Sequence, residues 1–284
     1  MPLRRQFFRK ITIIGVGLIG GSLGLAIKKR RMARVVVGVS QRQSSLQAAL
    51  KNQAVDEVYQ DVKRAVAGAD LVVLSTPVSI INSMLMTIGP HLKRHCIITD
   101  VGSTKVSIVK TASEHLPEHV YFVGSHPLAG SEKKGVQNAQ PDLFEGAPCL
   151  VTPTKTTNKR ALDRVKRLWI QLGAKVKYLS PEEHDSILAY TSHLPHMAAY
   201  ALTAALPEKY LEFCSQGFKD NTRIAASTPQ IWADISLGNS RNIIRALDAM
   251  AAQLAAIRKA IISAESRNLV NIFKNAKAMR DKLD

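Results

Sequence analysis

Lys10-Ile11-Thr12-Ile13-Ile14-Gly15-Val16-Gly17-Leu18-Ile19-Gly20-Gly21-Ser22-Leu23-Gly24-Leu25-Ala26-Ile27 reads as three consecutive elements. Ile11, Ile13 and Ile14 make a short β-branched run, Gly15 to Gly20 a glycine-rich turn, and Leu23, Ala26 and Ile27 fall at helical spacing. A lone G-x-G-x-x-G carries little weight. Here it follows a strand, opens a helix and is succeeded by a second apolar strand, Val35-Val36-Val37-Gly38-Val39, which is the context a dinucleotide site requires. Gly15 permits the tight turn, Gly17 lets the backbone approach a pyrophosphate, and Gly20 lets the helix lie close to the strand. The anion then rests at the positive end of the helix, where Leu18 and Ile19 stand.

Arg4, Arg5, Arg9 and Lys10 ahead of this apolar stretch would also suit a secretory signal or a short membrane span. Five glycines interrupt the stretch, Lys28-Lys29-Arg30-Arg31 stands where a small-residue cleavage site belongs, and the run is short for a membrane span. No membrane association is expected. At the end of the second strand an NAD site usually places Asp or Glu against the ribose 2′-hydroxyl, whereas this chain has Ser40-Gln41-Arg42. A hydroxyl and a guanidinium suit a 2′-phosphate that a carboxylate would repel, so NADP is preferred over NAD. The alternative is that Arg42 points to solvent and the site takes either cofactor.

The 284 residues allow one large core or two modest ones, and 46% apolar residues describe an ordinary globular chain, read here as two domains. Cys96, Cys149 and Cys214 are far apart with no C-x-x-C spacing, which suggests neither zinc nor a disulfide framework and fits a reducing cytoplasm. The formal charge of +17 invites a nucleic-acid reading. Lys and Arg are spread along the chain, aromatics are few and no nucleic-acid-binding signature occurs, so nucleic acid is not expected. A basic field also draws a phosphorylated cofactor and a polycarboxylate substrate.

Strands and helices continue to alternate. Leu71 to Leu74 is a continuous apolar run, as in a parallel strand covered on both faces, and it leads into Ser75-Thr76-Pro77, which places Thr76 and Pro77 beside the cofactor. Ile97 to Asp100 leads to Gly102-Ser103-Thr104-Lys105, where Ser103 suits either a helix N-cap or the site. Val120 to Gly124 delivers Ser125-His126-Pro127, a strand-end histidine suited to chemistry or to loop hydrogen bonding. Cys149 to Val151, a helix over 158–172 and a strand over 175–179 complete a Rossmann-like parallel-sheet domain assigned to 1–180.

Ser180-Pro181-Glu182-Glu183 looks like a helix start, and residues 181–284 read as an all-helical second domain, with long helices over 243–262 and 269–279. That domain carries Ser192-His193-Leu194-Pro195-His196, then Gly217-Phe218-Lys219-Asp220-Asn221-Thr222-Arg223, then Trp232. His193 and His196 lack the third ligand a catalytic metal needs, so no metal is expected. Lys219 and Arg223, four apart, share a helix face that would clamp a carboxylate or simply meet solvent.

Taken in order, the glycine turn, Asp100-Val101-Gly102-Ser103-Thr104-Lys105, Gly124 to Lys133, Thr191 to His196, Gly217 to Asp220 with Thr222 to Ala225, and Trp232 resemble the prephenate/arogenate dehydrogenase family of tyrosine biosynthesis. The resemblance implies a helical domain that forms a homodimer, a cleft between domains, and oxidative decarboxylation of a cyclohexadienyl dicarboxylate to 4-hydroxyphenylpyruvate (from prephenate) or tyrosine (from arogenate). It assigns His126 as base, Ser103 beside the substrate hydroxyl and nicotinamide, and Arg223 as the carboxylate-binding arginine, with Lys219 adding charge. His196 matches a position that often holds His in members accepting prephenate. His193, Glu132, Asp220 and Trp232 shape the site. The rival readings are a β-hydroxyacid dehydrogenase, whose catalytic Lys would sit on the helical domain, and a nonenzymatic dinucleotide sensor.

Overall fold

The computed structural model describes residues 7–130 and 133–283. Its strands are β1 (Phe8–Ile14), β2 (Ala33–Val39), β3 (Glu57–Tyr59), β4 (Leu71–Leu74), β5 (Ile97–Asp100), β6 (Tyr121–Pro127), β7 (Pro148–Thr152) and β8 (Lys175–Tyr178). They form one sheet in the order β3-β2-β1-β4-β5-β6-β7-β8. Helices α1 (Leu18–Lys29), α2 (Gln43–Lys51), α3 (Val62–Val66), α4 (Val78–Ile88), α5 (Val106–His115) and α6 (Lys159–Gln171) connect them. Successive side chains leave opposite faces of the sheet, and both faces are covered. Ile11, Ile13, Leu71 and Val73 join Leu23, Ile27 and Trp169 on one side, while Ile14, Val72 and Leu74 join Ile81, Leu85 and Ile108 on the other.

The sheet is parallel from β1 to β6 and not beyond. β7 pairs antiparallel with β6, His126 opposite Leu150, and β8 follows β7 in parallel. The cause lies in the connection. A parallel neighbour needs a crossover, usually a helix. Among the described residues of 128–147 the only helical element is the short turn Val136–Asn138, pressed on α1 so that a Cβ at Gly21 would stand 2.6 Å from Val136 Cγ2. The chain therefore re-enters the sheet from the edge at which β6 ended.

From Pro181 onward every described element is helical. Helix α7 (Pro181–Leu188) opens on a capping box, Ser180 Oγ accepting from Glu183 N while Glu183 accepts from Ser180 N. After it come α8 (Leu194–Ala204), α9 (Gln216–Thr222), α10 (Pro229–Gly238), α11 (Ser240–Ile262) and α12 (Ser266–Arg280). Between α7 and α8 lies a π-helical turn, Ala189–His193. The last helices leave Leu237, Leu254, Ile262 and Phe273 between 54% and 79% exposed. Among the described residues no helix is long and apolar enough to cross a membrane.

The helical part is docked on the carboxyl edge of the sheet. Ser79 Oγ on α4 donates to Asp234 Oδ2 on α10 at 2.5 Å, and a Cβ at Gly238 would touch Thr104 and Val78. The segments after β4 and β5 thus meet the helices directly.

Candidate active site

A cavity of about 650 Å³ opens where the strand order reverses, between β1 and β4. Gly15, Gly17, Ser40, Arg42, Thr76 and Pro77 all line it, joined by Ser44, Ser45 and the 135–137 turn. Gly15 has φ +99°, and a Cβ there would lie 2.3 Å from the Ser75 carbonyl oxygen. A Cβ at Gly20 would lie 1.9 Å from the Gly15 oxygen. Both positions need glycine for the fold itself. Gly17 differs: its Cβ would meet nothing within 4 Å, so the space beside it is open to a ligand.

Helix α1 starts at Leu18 with no side-chain cap and no acidic residue in its first turn. Its N–H groups are therefore available to a pyrophosphate. The Thr76 hydroxyl is buried without a hydrogen-bond partner. At the ribose end Ser40 Oγ accepts from Arg42 N at 3.2 Å, and Arg42 forms no ion pair with a described residue. A buried orphan hydroxyl, an uncapped helix and a cationic rim fit a dinucleotide.

Beside this cavity, β5 and β6 end in a buried polar network. Asp100 and Lys105 are wholly buried and ion-paired. Asp100 also accepts from Gly102 N at 2.9 Å and Ser125 N at 3.1 Å, and Ser125 Oγ takes a further bond from Trp169 Nε1 at 3.1 Å. With both carboxylate oxygens hydrogen-bonded the pair is tolerable in the interior, and it fixes the loop that bears Ser103. Ser103 does not cap α5. The helix starts three residues later, and the carboxylate at its N-terminus is Asp185, which accepts from Lys105 N at 2.7 Å and Val106 N at 3.0 Å.

His126 is half-buried on β6, its Nδ1 2.9 Å from His184 Nε2, and His184 Nδ1 is 2.8 Å from Asp185 Oδ1. Burial, followed by the neighbouring His184, Lys105 and His193, pushes the His126 imidazole well below its ordinary range. It is held neutral at physiological pH, which a proton acceptor must be.

The π turn and α8 supply a second group. His193 is 1% exposed, and burial lowers its pKa to about 4. Its Nδ1 faces Asn239 Nδ2 at 3.3 Å, and the Ser103 backbone lies against the ring. Trp232 stacks on His196 with ring centroids 3.5 Å apart and meets His193 edge-on. The Arg223 guanidinium is close enough to His196 to lower its pKa further, after burial.

Helix α9 ends at Thr222, so Arg223 opens the following turn rather than continuing the Lys219 face. Lys219 and Asp220 are exposed on α9, Asp220 held by Gln216 Nε2 at 2.8 Å. Glu132 lies outside the described residues.

The sequence matches the family described as "Prephenate dehydrogenase, nucleotide-binding domain" over residues 23–178 and "Prephenate dehydrogenase, dimerization domain" over 180–275. The chain belongs to the prephenate dehydrogenase family. Among its relatives, a prephenate dehydrogenase of Bacillus subtilis is 37% identical over 280 residues, 96% of this chain and 76% of that one. A cyclohexadienyl dehydrogenase of Zymomonas mobilis is 36% identical, covering 96% and 95%. The prephenate dehydrogenase of Aquifex aeolicus, solved with hydroxyphenyl propionate and NAD+, superposes over 100% of both chains with a TM-score of 0.90 at 32% identity.

Within this family frame, reasoning from sequence missed His184, Asp185 and Asn239. Glu182, Glu183 and Asp185 drew notice only as the acidic start of α7 or not at all, although His184-Asp185 stands next to that start. Nothing local marks a histidine whose partner lies on a strand 58 residues earlier.

Proposed function

We propose that this chain is a prephenate dehydrogenase that prefers NADP to NAD, with arogenate as the alternative substrate. The observation that carries the reading is a neutral His126 at the sheet edge that also bears the glycine turn, beside a helical layer presenting His193, His196 and Arg223.

The bound dinucleotide would supply the hydride acceptor. His126 takes the proton of the substrate hydroxyl as the hydride leaves the same carbon. The ring carboxylate then departs as CO2, its bonding electrons completing an aromatic ring, and the phenolate recovers the proton. Loss of CO2 and aromatisation make the sequence irreversible. Arg223 holds a substrate carboxylate as a planar, permanently charged donor, with Lys219 adding charge. His196, stacked on Trp232, favours the keto acid over the amino acid. Ser103 stands at the hydroxyl, between His126 and the nicotinamide, while His193 and Asp220 complete the pocket walls. Ser40 and Arg42 suit a 2′-phosphate, and the absence of a carboxylate there removes the usual reason to prefer NAD.

The exposed apolar side chains of α10 to α12 support a homodimer through the helical domain, with the domains meeting near residue 180. Three free cysteines suit a reducing cytoplasm.

Reduced-nicotinamide absorbance in four mixtures, prephenate or arogenate with NADP or NAD, tests the reading. Fastest reduction with prephenate and NADP is expected. Preference for arogenate would discard the argument from His196, preference for NAD that from Ser40 and Arg42, and silence in all four the enzymatic reading.

A further inference from the structure

The row Asp185, His184, His126 has a polarity that can be assigned from one end to the other. Asp185 accepts two backbone N–H groups, from Lys105 and Val106, so it faces His184 as an acceptor. An acceptor 2.8 Å from His184 Nδ1 requires a proton on that nitrogen. The neutral ring then presents a lone pair at Nε2, directed at His126 Nδ1 2.9 Å away. His126 must carry its own proton on Nδ1, and its Nε2 is left basic. The opposite assignment would set the His184 Nδ1 lone pair against the carboxylate.

The row is also braced from behind. Asn239 Nδ2 donates to the Asp185 carbonyl at 2.7 Å, and its Oδ1 accepts from Asn242 Nδ2 at 2.8 Å, which fixes the amide's orientation. His184 and Asp185 are 0% and 1% exposed, so water does not compete for these bonds.

We propose that His184 and Asp185 are positioning residues that hold His126 in the tautomer whose Nε2 is free, and that steady the imidazolium formed when it takes the substrate proton. This rests on the reading of His126 as the base. In the step, the hydroxyl O–H bond breaks and an Nε2–H bond forms on His126. The imidazolium keeps Nδ1–H directed at His184 Nε2, and Asp185, one ring further, supplies the negative charge. Among the described residues the remaining charged and titratable groups facing His126 are Lys105, already paired with Asp100, and His193; neither accepts from Nδ1. Without His184 the Nδ1–H loses its acceptor, and His126 becomes a less well-aimed base, its tautomer no longer fixed.

The test compares His184→Phe, His184→Gln and His126→Asn in the full-length enzyme. For His184→Phe, kcat should fall about 10- to 100-fold, as when an outer partner that fixes a histidine's tautomer is lost, with substrate KM and cofactor Kd changed little. The acid limb of its kcat profile should shift away from its wild-type pH, because the group that faces His126 Nδ1 is gone. His184→Gln, which returns an acceptor near Nε2, should recover most of the loss. A His184→Phe enzyme with wild-type kcat and pH profile, alongside an inactive His126→Asn, would overturn the proposal alone. An active His126→Asn would remove the base reading beneath it. Should His184→Phe fail to fold, ¹⁵N NMR of histidine-labelled wild-type protein decides: protonated Nδ1 and bare Nε2 on His126 are expected, and the reverse tautomer contradicts the proposal.

Discussion

The cofactor crevice and the histidine row lie on the same edge of the sheet but are built of different material. The crevice is backbone: Gly15 at positive φ, Gly20 against the Gly15 carbonyl, and the open N-terminus of α1. The row is side chain: two imidazoles and a carboxylate joined across strand and helix. A backbone site is specified by what is absent, namely Cβ atoms, and a short motif records that absence. A side-chain network is specified by contacts between distant segments, and no motif records those.

The comparison can be broken first inside the crevice. Gly20→Ala places a methyl group 1.9 Å from a carbonyl oxygen that cannot move without unmaking the turn. Destabilisation of about 3 kcal/mol or more is expected, seen as a large fall in Tm or as insoluble protein. Gly17→Ala should leave Tm unchanged, since its Cβ meets only open space, while weakening NADP about tenfold in a fluorescence titration, or about 1.4 kcal/mol. Equal Tm losses for the two variants would mean that Gly17 serves the fold and not the ligand.

The row makes a smaller and pH-dependent mark on stability. His126, His184 and His193 all have folded pKa values below the ordinary 6.5, burial being the largest cause for each. Above 6.5 both folded and unfolded states hold these rings neutral. As pH falls below it, the unfolded chain binds protons that the folded chain refuses, and stability drains away toward the folded value, about 4 for His193. Thermal melts should therefore be flat from pH 8 to about 7 and decline from about 6.5 to 5. A Tm that rises on acidification would contradict neutral burial.

Much of the sheet was legible because its signals are local. Ile11 to Gly20, Leu71 to Leu74 and Ser180 to Glu183 each carry their own periodicity or cap, and the cavity gathers Ser40, Arg42, Thr76 and Pro77 because they follow strands of known order. The misses are of another kind. Cys149-Leu150-Val151 announces a strand but not its direction, which follows from a link over 128–147 whose described residues form no crossover helix, only the short turn Val136–Asn138. Glu57 to Tyr59 is too short to show alternation. The π turn under Ser192 and His193 changes which carbonyl each N–H meets, something side-chain spacing does not encode. Ser103 lost the capping role to a carboxylate on another helix, Asp185, which lies about 80 residues from the groups it caps.

The central claim is that His126 serves chemistry and not cofactor binding, and one experiment reads both at once. With His126→Asn, NADP Kd should stay near the wild-type value while kcat falls by about 10²- to 10⁴-fold, the worth of a general base. Turnover close to wild type with the same affinity would contradict the account and leave the proton acceptor to be sought elsewhere in the cleft.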